Sequence, residues 1–223
     1  VELAEDDEVE LKFELLCAAG TLYEAHQNDS VNAIDMFNQA LGVKPSDKTV
    51  LGRVNRLYAD AEMWPELLEN LRFCVSIADT DPERAELRTR IAEVLGERLG
   101  EYDEALANYR HVLDAAPGDD AVLAAVRKIG QEHAEFRELA ASILIPALNA
   151  ENRDEELVLA YDMRLSAQTD PEDRAETLRE MASVLEKRLQ RPADAQGALL
   201  RSLTERPDSA ELHADIERLA RVS

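Results

Sequence analysis

Basic residues are scarce in this chain. Twenty-five Lys and Arg stand against 47 Asp and Glu, a formal net charge of −22. Such a field repels phosphate backbones, so no nucleic-acid partner is expected. Anionic membrane surfaces are disfavoured for the same reason. Aromatics make up only 4% of residues, so the core must rest on Leu, Ala, Val and Ile. Gly and Pro number eight each and β-branched runs are rare, which favours helix nearly everywhere. The 45% apolar content argues against wholesale disorder. Two cysteines, Cys17 and Cys74, are too few and too far apart for a disulfide framework or a metal site. No apolar run approaches the roughly 20 residues that span a bilayer, so direct membrane insertion is not expected. The chain opens on Val without a basic n-region, and is read as a fragment or processed form. The cytoplasm is favoured as its compartment, with the periplasm left open, and the sequence assigns no oligomeric state.

Catalytic and cofactor motifs are missing too. His26, His111, His133 and His213 are scattered, without metal-ligand spacing. HExxH, CxxC, GxGxxG, GxxxxGK[ST] and GxSxG do not occur. The expectation is therefore a protein that is no enzyme, with no metal and no cofactor. Both cysteines are read as small packing residues.

What the chain does have is a pattern that returns. Residues 33–47 read AIDMFNQALGVKPSD, with Ala33, Phe37 and Ala40 on one helical face and Pro45 where the helix must stop. Residues 105–117 repeat it with Ala105, Tyr109, Val112 and Pro117. Residues 195–207 repeat it with Ala195, Leu199, Ser202 and Pro207. Thirteen positions before each leading alanine stands a small residue: Gly20, Ala92 and Ala182. The unit is helix, short turn, helix, breaker. Small residues let the paired helices approach, and the large residue one turn on fills the space beside the contact. A shift of 72 residues superposes the first copy on the second, two units of 36.

Leu16, Ala19, Gly20 and Tyr23, then Ala33, Phe37, Ala40 and Pro45, match in type the eight signature positions of the tetratricopeptide repeat, which this sequence resembles over most of residues 8–221. The turn between the helices is one residue longer than usual. In weaker units Leu67, Leu71 and Cys74 take the places of Ala33, Phe37 and Ala40. The resemblance implies an all-α, right-handed solenoid of antiparallel hairpins, about twelve helices in all. It further implies a non-catalytic protein-interaction scaffold, similar to pieces of the long multi-repeat proteins of bacteria. By the family register the concave face holds Glu14, Cys17, Thr21 and Glu24; Glu86, Thr89, Arg90, Glu93 and Glu97; and Glu176, Arg179, Ser183 and Lys187. Family members that clamp a terminal carboxylate use Lys, Arg and Asn there. Glu at several of these places points instead to a basic or mixed polar protein or peptide segment. Two alternatives stand beside this reading: a structural spacer or oligomer-building segment of a larger protein, and an acidic regulatory module that occupies a basic site on a partner.

The second half carries a fault. The 72-residue shift becomes 90, and Pro146 occupies the position that held Ala40 and Cys74. Proline predicts a helix end near Ile145 and an irregular junction near 144–153. After it, Leu157, Tyr161 and Leu165 share one face of an inserted helix. The expected organisation is an acidic lead-in over 1–7, hairpins over 8–145, the inserted segment over 146–168, and a hairpin with a capping helix over 169–223. Asp81 and Asp170, each followed by Pro and Glu, and Asp208 with Glu211, are the expected N-caps.

Overall fold

The computed structural model describes residues 2–27 and 29–220, with side chains left out at 2–6, 26 and 27. It divides into two compact units, Val1–Glu101 and Tyr102–Ser223. The first unit holds α1 (Glu2–Leu22), α2 (Ser30–Val43), α3 (Lys48–Asp60), α4 (Trp64–Ile77) and α5 (Asp81–Glu93). The second holds α6 (Tyr102–Ala115), α7 (Asp120–Glu132), α8 (Arg137–Ala150), α9 (Asp154–Ala167), α10 (Pro171–Lys187), α11 (Pro192–Glu205) and α12 (Ala210–Ala220). No strand occurs among the described residues. Within each unit every helix packs against the next, giving an all-α array of antiparallel hairpins. The stretch expected as an acidic lead-in is helical from Glu2, because acids in a first turn complement the helix dipole.

Two kinds of turn alternate, and each has its own chemistry. Between hairpins the chain reads Lys44-Pro45-Ser46-Asp47 and Ala116-Pro117-Gly118-Asp119. Proline stops one helix, and the aspartate side chain accepts from Val50 N or Val122 N to cap the next. These prolines lie at or near the surface, so they act by breaking helices and not by filling the core. Within hairpins one residue turns left-handed: Glu62 at φ 55°, Gly100 at 71°, Asn152 at 54° and Gln190 at 56°. The amide that follows then bonds back into the helix end, Met63 N to Tyr58 O at 2.8 Å and Arg153 N to Leu148 O at 3.0 Å. Two caps differ from expectation: Thr80, not Asp81, accepts from Glu83 N, and Ser209, not Asp208, accepts from Leu212 N.

The extra residue noticed before Ala33 and Ala105 is absorbed inside the helices. Tyr23–Gln27 continues α1 as a π-helical turn, and Val94–Leu99 continues α5 in the same way, 72 residues apart at their shared positions. The repeat positions form the core. Ala33, Phe37, Ala40, Ala92, Ala105 and Ala195 are fully buried, and Tyr109, Ala182 and Leu199 nearly so. Phe37 itself lies on Gly20, where an added Cβ would come within 2.9 Å of its ring. In the third copy the buried Ser202 hydroxyl donates to Ala175 O at 2.9 Å, so its polarity is satisfied.

The break expected at Pro146 does not occur. Helix α8 runs from Arg137 through Pro146 to Ala150. The ring sits on the exposed side, while Ile143, Leu144, Ala147 and Leu148 around it are buried. Burying each large aliphatic contributes about 1.5–3 kcal/mol, against about 3 kcal/mol for an interior proline. Packing wins. A 90-residue shift carries α4 onto α9 and the turn 61–63 onto 151–153, so α8 and α9 form a regular hairpin. The irregular element lies earlier, at the 3₁₀ turn Ala134–Phe136 that joins α7 to α8. Helix α9 is apolar on one face as expected, with Leu157, Tyr161 and Leu165 buried.

Candidate functional site

The first helices of hairpins were expected to present the binding surface. In the second unit α10 places Glu176, Arg179, Ser183 and Lys187 three and four residues apart, hence on one face. All four line one groove of about 370 Å³, whose far wall is Asp215 and Arg218 of α12. Glu180 and Glu186 complete its polar edge, and Leu199 its apolar floor. Arg179 donates to Glu211 at 3.2 Å, and Arg218 donates to both oxygens of Glu186, at 2.5 and 3.0 Å. Among the described residues neither Glu176 nor Lys187 takes part in an ion pair.

In the first unit α1 carries Thr21 and, on its π turn, Glu24, and both are already engaged. Arg53 of α3 donates to Thr21 Oγ1 at 2.8 Å, and Arg56 of α3 pairs with Glu24. Glu14 is exposed and Cys17 half-buried. On α5 Glu86 is exposed, while Thr89 is half-buried and donates to Ala85 O of its own helix at 3.0 Å. Arg90 is half-buried beside them. Glu93 and Glu97 stand one turn apart, both exposed. Partial burial, then the neighbouring Glu97 charge, pushes the Glu93 carboxyl above the usual range.

Arg53, Arg56, Glu186, Asp215 and Arg218 were missed by sequence reasoning. A signal was available. Thr21–Arg53, Glu24–Arg56, Arg179–Glu211 and Glu186–Arg218 are each separated by 32 positions. Successive first helices place residues about one helical turn short of a full repeat side by side, so complementary side chains at that spacing mark the face. Fifteen further ion pairs are present among the described residues, so most bases are neutralised internally and the surplus charge at the surface is carboxylate.

The Arg218 guanidinium holds the Glu186 carboxyl below its ordinary 4.5. A depressed acid contributes stability that is present above its unfolded pKa and is lost as pH falls through the folded one. The α10–α12 pairing should therefore persist at pH 5 and loosen only below about 4.5. A carboxyl NMR titration of Glu186 checks this, and Arg218→Gln should return Glu186 to the ordinary range.

The cysteines behave as packing residues. Asn55 donates to Cys74 Sγ at 3.7 Å, and burial raises both thiols. Trp64 opens α4 under the Arg98 guanidinium, 5.3 Å from its ring. Phe136 and His133 gather around Tyr102. His111 and His213 are exposed, and the His26 side chain lies outside the described residues. Among the described residues no group of three His, Cys, Asp or Glu is placed to hold a metal ion. None of their helices is long and apolar enough to cross a membrane.

No family model and no curated protein matches the chain. Solved structures align with it along most of its length at low identity. The TPR2AB domain of yeast Sti1, solved as a pHSP90 complex, is 15% identical at TM-score 0.41, over 94% of this chain and 83% of that one. A tetratricopeptide repeat protein from Parabacteroides merdae is 14% identical at 0.44, over 95% and 87%. MamA is 14% identical at 0.39, over 90% and 94%. Likeness at these values carries no argument about this chain, whose hairpin array stands on its own helix packing.

Proposed function

We propose that the chain is a non-catalytic protein-interaction scaffold whose first helices receive a basic or mixed polar segment of a protein partner. The observation that carries this reading is the α10 groove, where Glu176, Arg179, Ser183 and Lys187 converge on a volume suited to a few side chains. Charge supports the partner's character. Arg53, Arg56, Arg179 and Arg218 are taken up by internal pairs, whereas Glu176 in the second unit and, separately, Glu93 and Glu97 in the first are exposed acids on first helices. A partner Lys or Arg beside Glu93 and Glu97 would relieve their mutual repulsion. Rim pairs of this kind tune association rate and selectivity more than affinity.

The test compares proteins retained from a host lysate by the wild-type chain and by a Glu93→Gln, Glu97→Gln, Glu176→Gln variant. Retention should fall at least about tenfold in the variant. It should also weaken steeply between about 0.1 M and about 1 M salt, as the screening length drops from about 10 to about 3 Å. Retention indifferent to both would remove this reading.

A further inference from the structure

The proline inside α8 stands in the wall of a groove. Helix α8 packs on α6, and between them lies a space of about 550 Å³, within the size range of ligand-binding clefts. Leu113, Ile143 and Ala147, all buried, form its floor. Arg110 and Asp114 of α6 stand on one side, Ser142 and Pro146 of α8 on the other. The whole groove belongs to the second unit.

A helical carbonyl points along the axis toward the residue four ahead, so Ser142 O lies on the face that Ser142 and Pro146 turn to the groove. Proline has no N–H to give it, and this carbonyl keeps its capacity to accept. The Ser142 hydroxyl is engaged elsewhere, donating to Leu139 O at 2.7 Å and accepting from Arg110 at 2.9 Å. The second bond holds the guanidinium beside Ser142 with N–H groups to spare, since it has five. A donor and an acceptor thus sit together above an apolar floor. The 72-residue shift places Asn70 and Cys74 of α4 at the positions of Ser142 and Pro146. Cys74 has an N–H for the Asn70 carbonyl, so the first unit lacks the free acceptor.

We infer that the α6–α8 groove binds one extended segment of a protein partner, in which an aliphatic residue stands next to a Lys or Arg. In an extended chain the N–H and C=O of one residue point the same way, and so can reach Ser142 O and the Arg110 guanidinium together. The aliphatic side chain covers Leu113, Ile143 and Ala147. Charge selects the basic neighbour. Asp114 is exposed and takes part in no ion pair among the described residues. Glu151, equally without an ion pair there, lies on Gly118 beside the Pro117 end of the groove, where an added Cβ would come within 3.2 Å of its carboxylate. A second copy of the chain would bring another net −22, so self-pairing is opposed by like charge. The site also gives a use to a residue that costs helix stability, a cost proteins retain where function needs it. This inference does not depend on the α10 groove.

The probe is a capped, fluorescein-labelled pentapeptide with leucine at its centre, a lysine on each side and glycine at both ends. Fluorescence anisotropy follows it against the whole chain, beside an analogue methylated at the leucine nitrogen. Saturable binding is expected. Pro146→Ala, which gives Ser142 O a helical N–H, and methylation of the leucine should each weaken it about tenfold, the effect of one hydrogen bond left unmade. Asp114→Asn should weaken it too and flatten its salt dependence. Circular dichroism checks that the variants fold, and the methylated peptide tests the wild-type chain without any substitution. The analogue keeps the probe's charge, so equal binding of the two peptides would mean mere charge attraction and overturn the inference. Equal binding by the Pro146→Ala and wild-type chains would overturn it as well, and so would the absence of saturable binding up to about 1 mM peptide. If Asp114→Asn binds as tightly as wild type, the basic segment is the wrong occupant. A wild-type dimer in sedimentation that Pro146→Ala abolishes would put a second copy in the groove instead.

Discussion

Phe37→Ala is expected to cost about 3–5 kcal/mol, the range for deleting a fully buried aromatic. No part of Phe37 is exposed, and its ring fills the space left by the missing side chain of Gly20. The Arg53 guanidinium lies 5.6 Å from the ring centre on α3, so the loss reaches a third helix. The converse change tests the same contact. Alanine is a better helix former than glycine by about 1 kcal/mol, yet Gly20→Ala should destabilise, because its Cβ would press on the ring at 2.9 Å. Combined with Phe37→Leu, which frees that space, Gly20→Ala should become neutral or better. Urea denaturation of the four members of this cycle gives the coupling directly. Additive effects would mean the two residues do not meet.

This contact also shows what was legible in the sequence. Gly20, Phe37 and Ala40 were found by spacing alone, because helix periodicity and the demand for close packing act on the same residues. Burial of Leu157, Tyr161 and Leu165 was readable for the same reason. Glu176, Arg179, Ser183 and Lys187 came out of a register argument, and the groove gathers them because a first helix keeps one face free. Thr21 and Glu24 came from the same register but are taken up by Arg53 and Arg56. Register identifies a face and does not reveal which polar groups on it are already satisfied. The π turns at Tyr23–Gln27 and Val94–Leu99 were visible only as one surplus residue, since sequence does not say whether a turn or a helix absorbs it. Pro146 was misread because a local rule was applied without weighing the burial on both sides of it.

That misreading leads to a measurable consequence. Pro146→Ala is expected to stabilise the second unit by about 2 kcal/mol. Interior proline costs about 3 kcal/mol relative to alanine in a helix, and about 1 kcal/mol of this is returned because proline also restricts the unfolded chain. Ser142 is the i−4 residue, so its carbonyl receives no helical N–H while proline stands at 146. The Ser142 side chain is already engaged, donating to Leu139 O at 2.7 Å and accepting from Arg110 at 2.9 Å. Alanine restores the backbone bond without touching the buried Ile143, Leu144, Ala147 and Leu148. The ring is exposed, so its removal leaves no cavity. Thermal unfolding should rise by several degrees, and hydrogen exchange should slow along α8 around residue 146. A loss of stability would show instead that α8 needs the bend proline imposes in order to pack on α7 with one side and α9 with the other. Proline would then be the residue that lets a single helix serve two neighbours where the repeat changes its step.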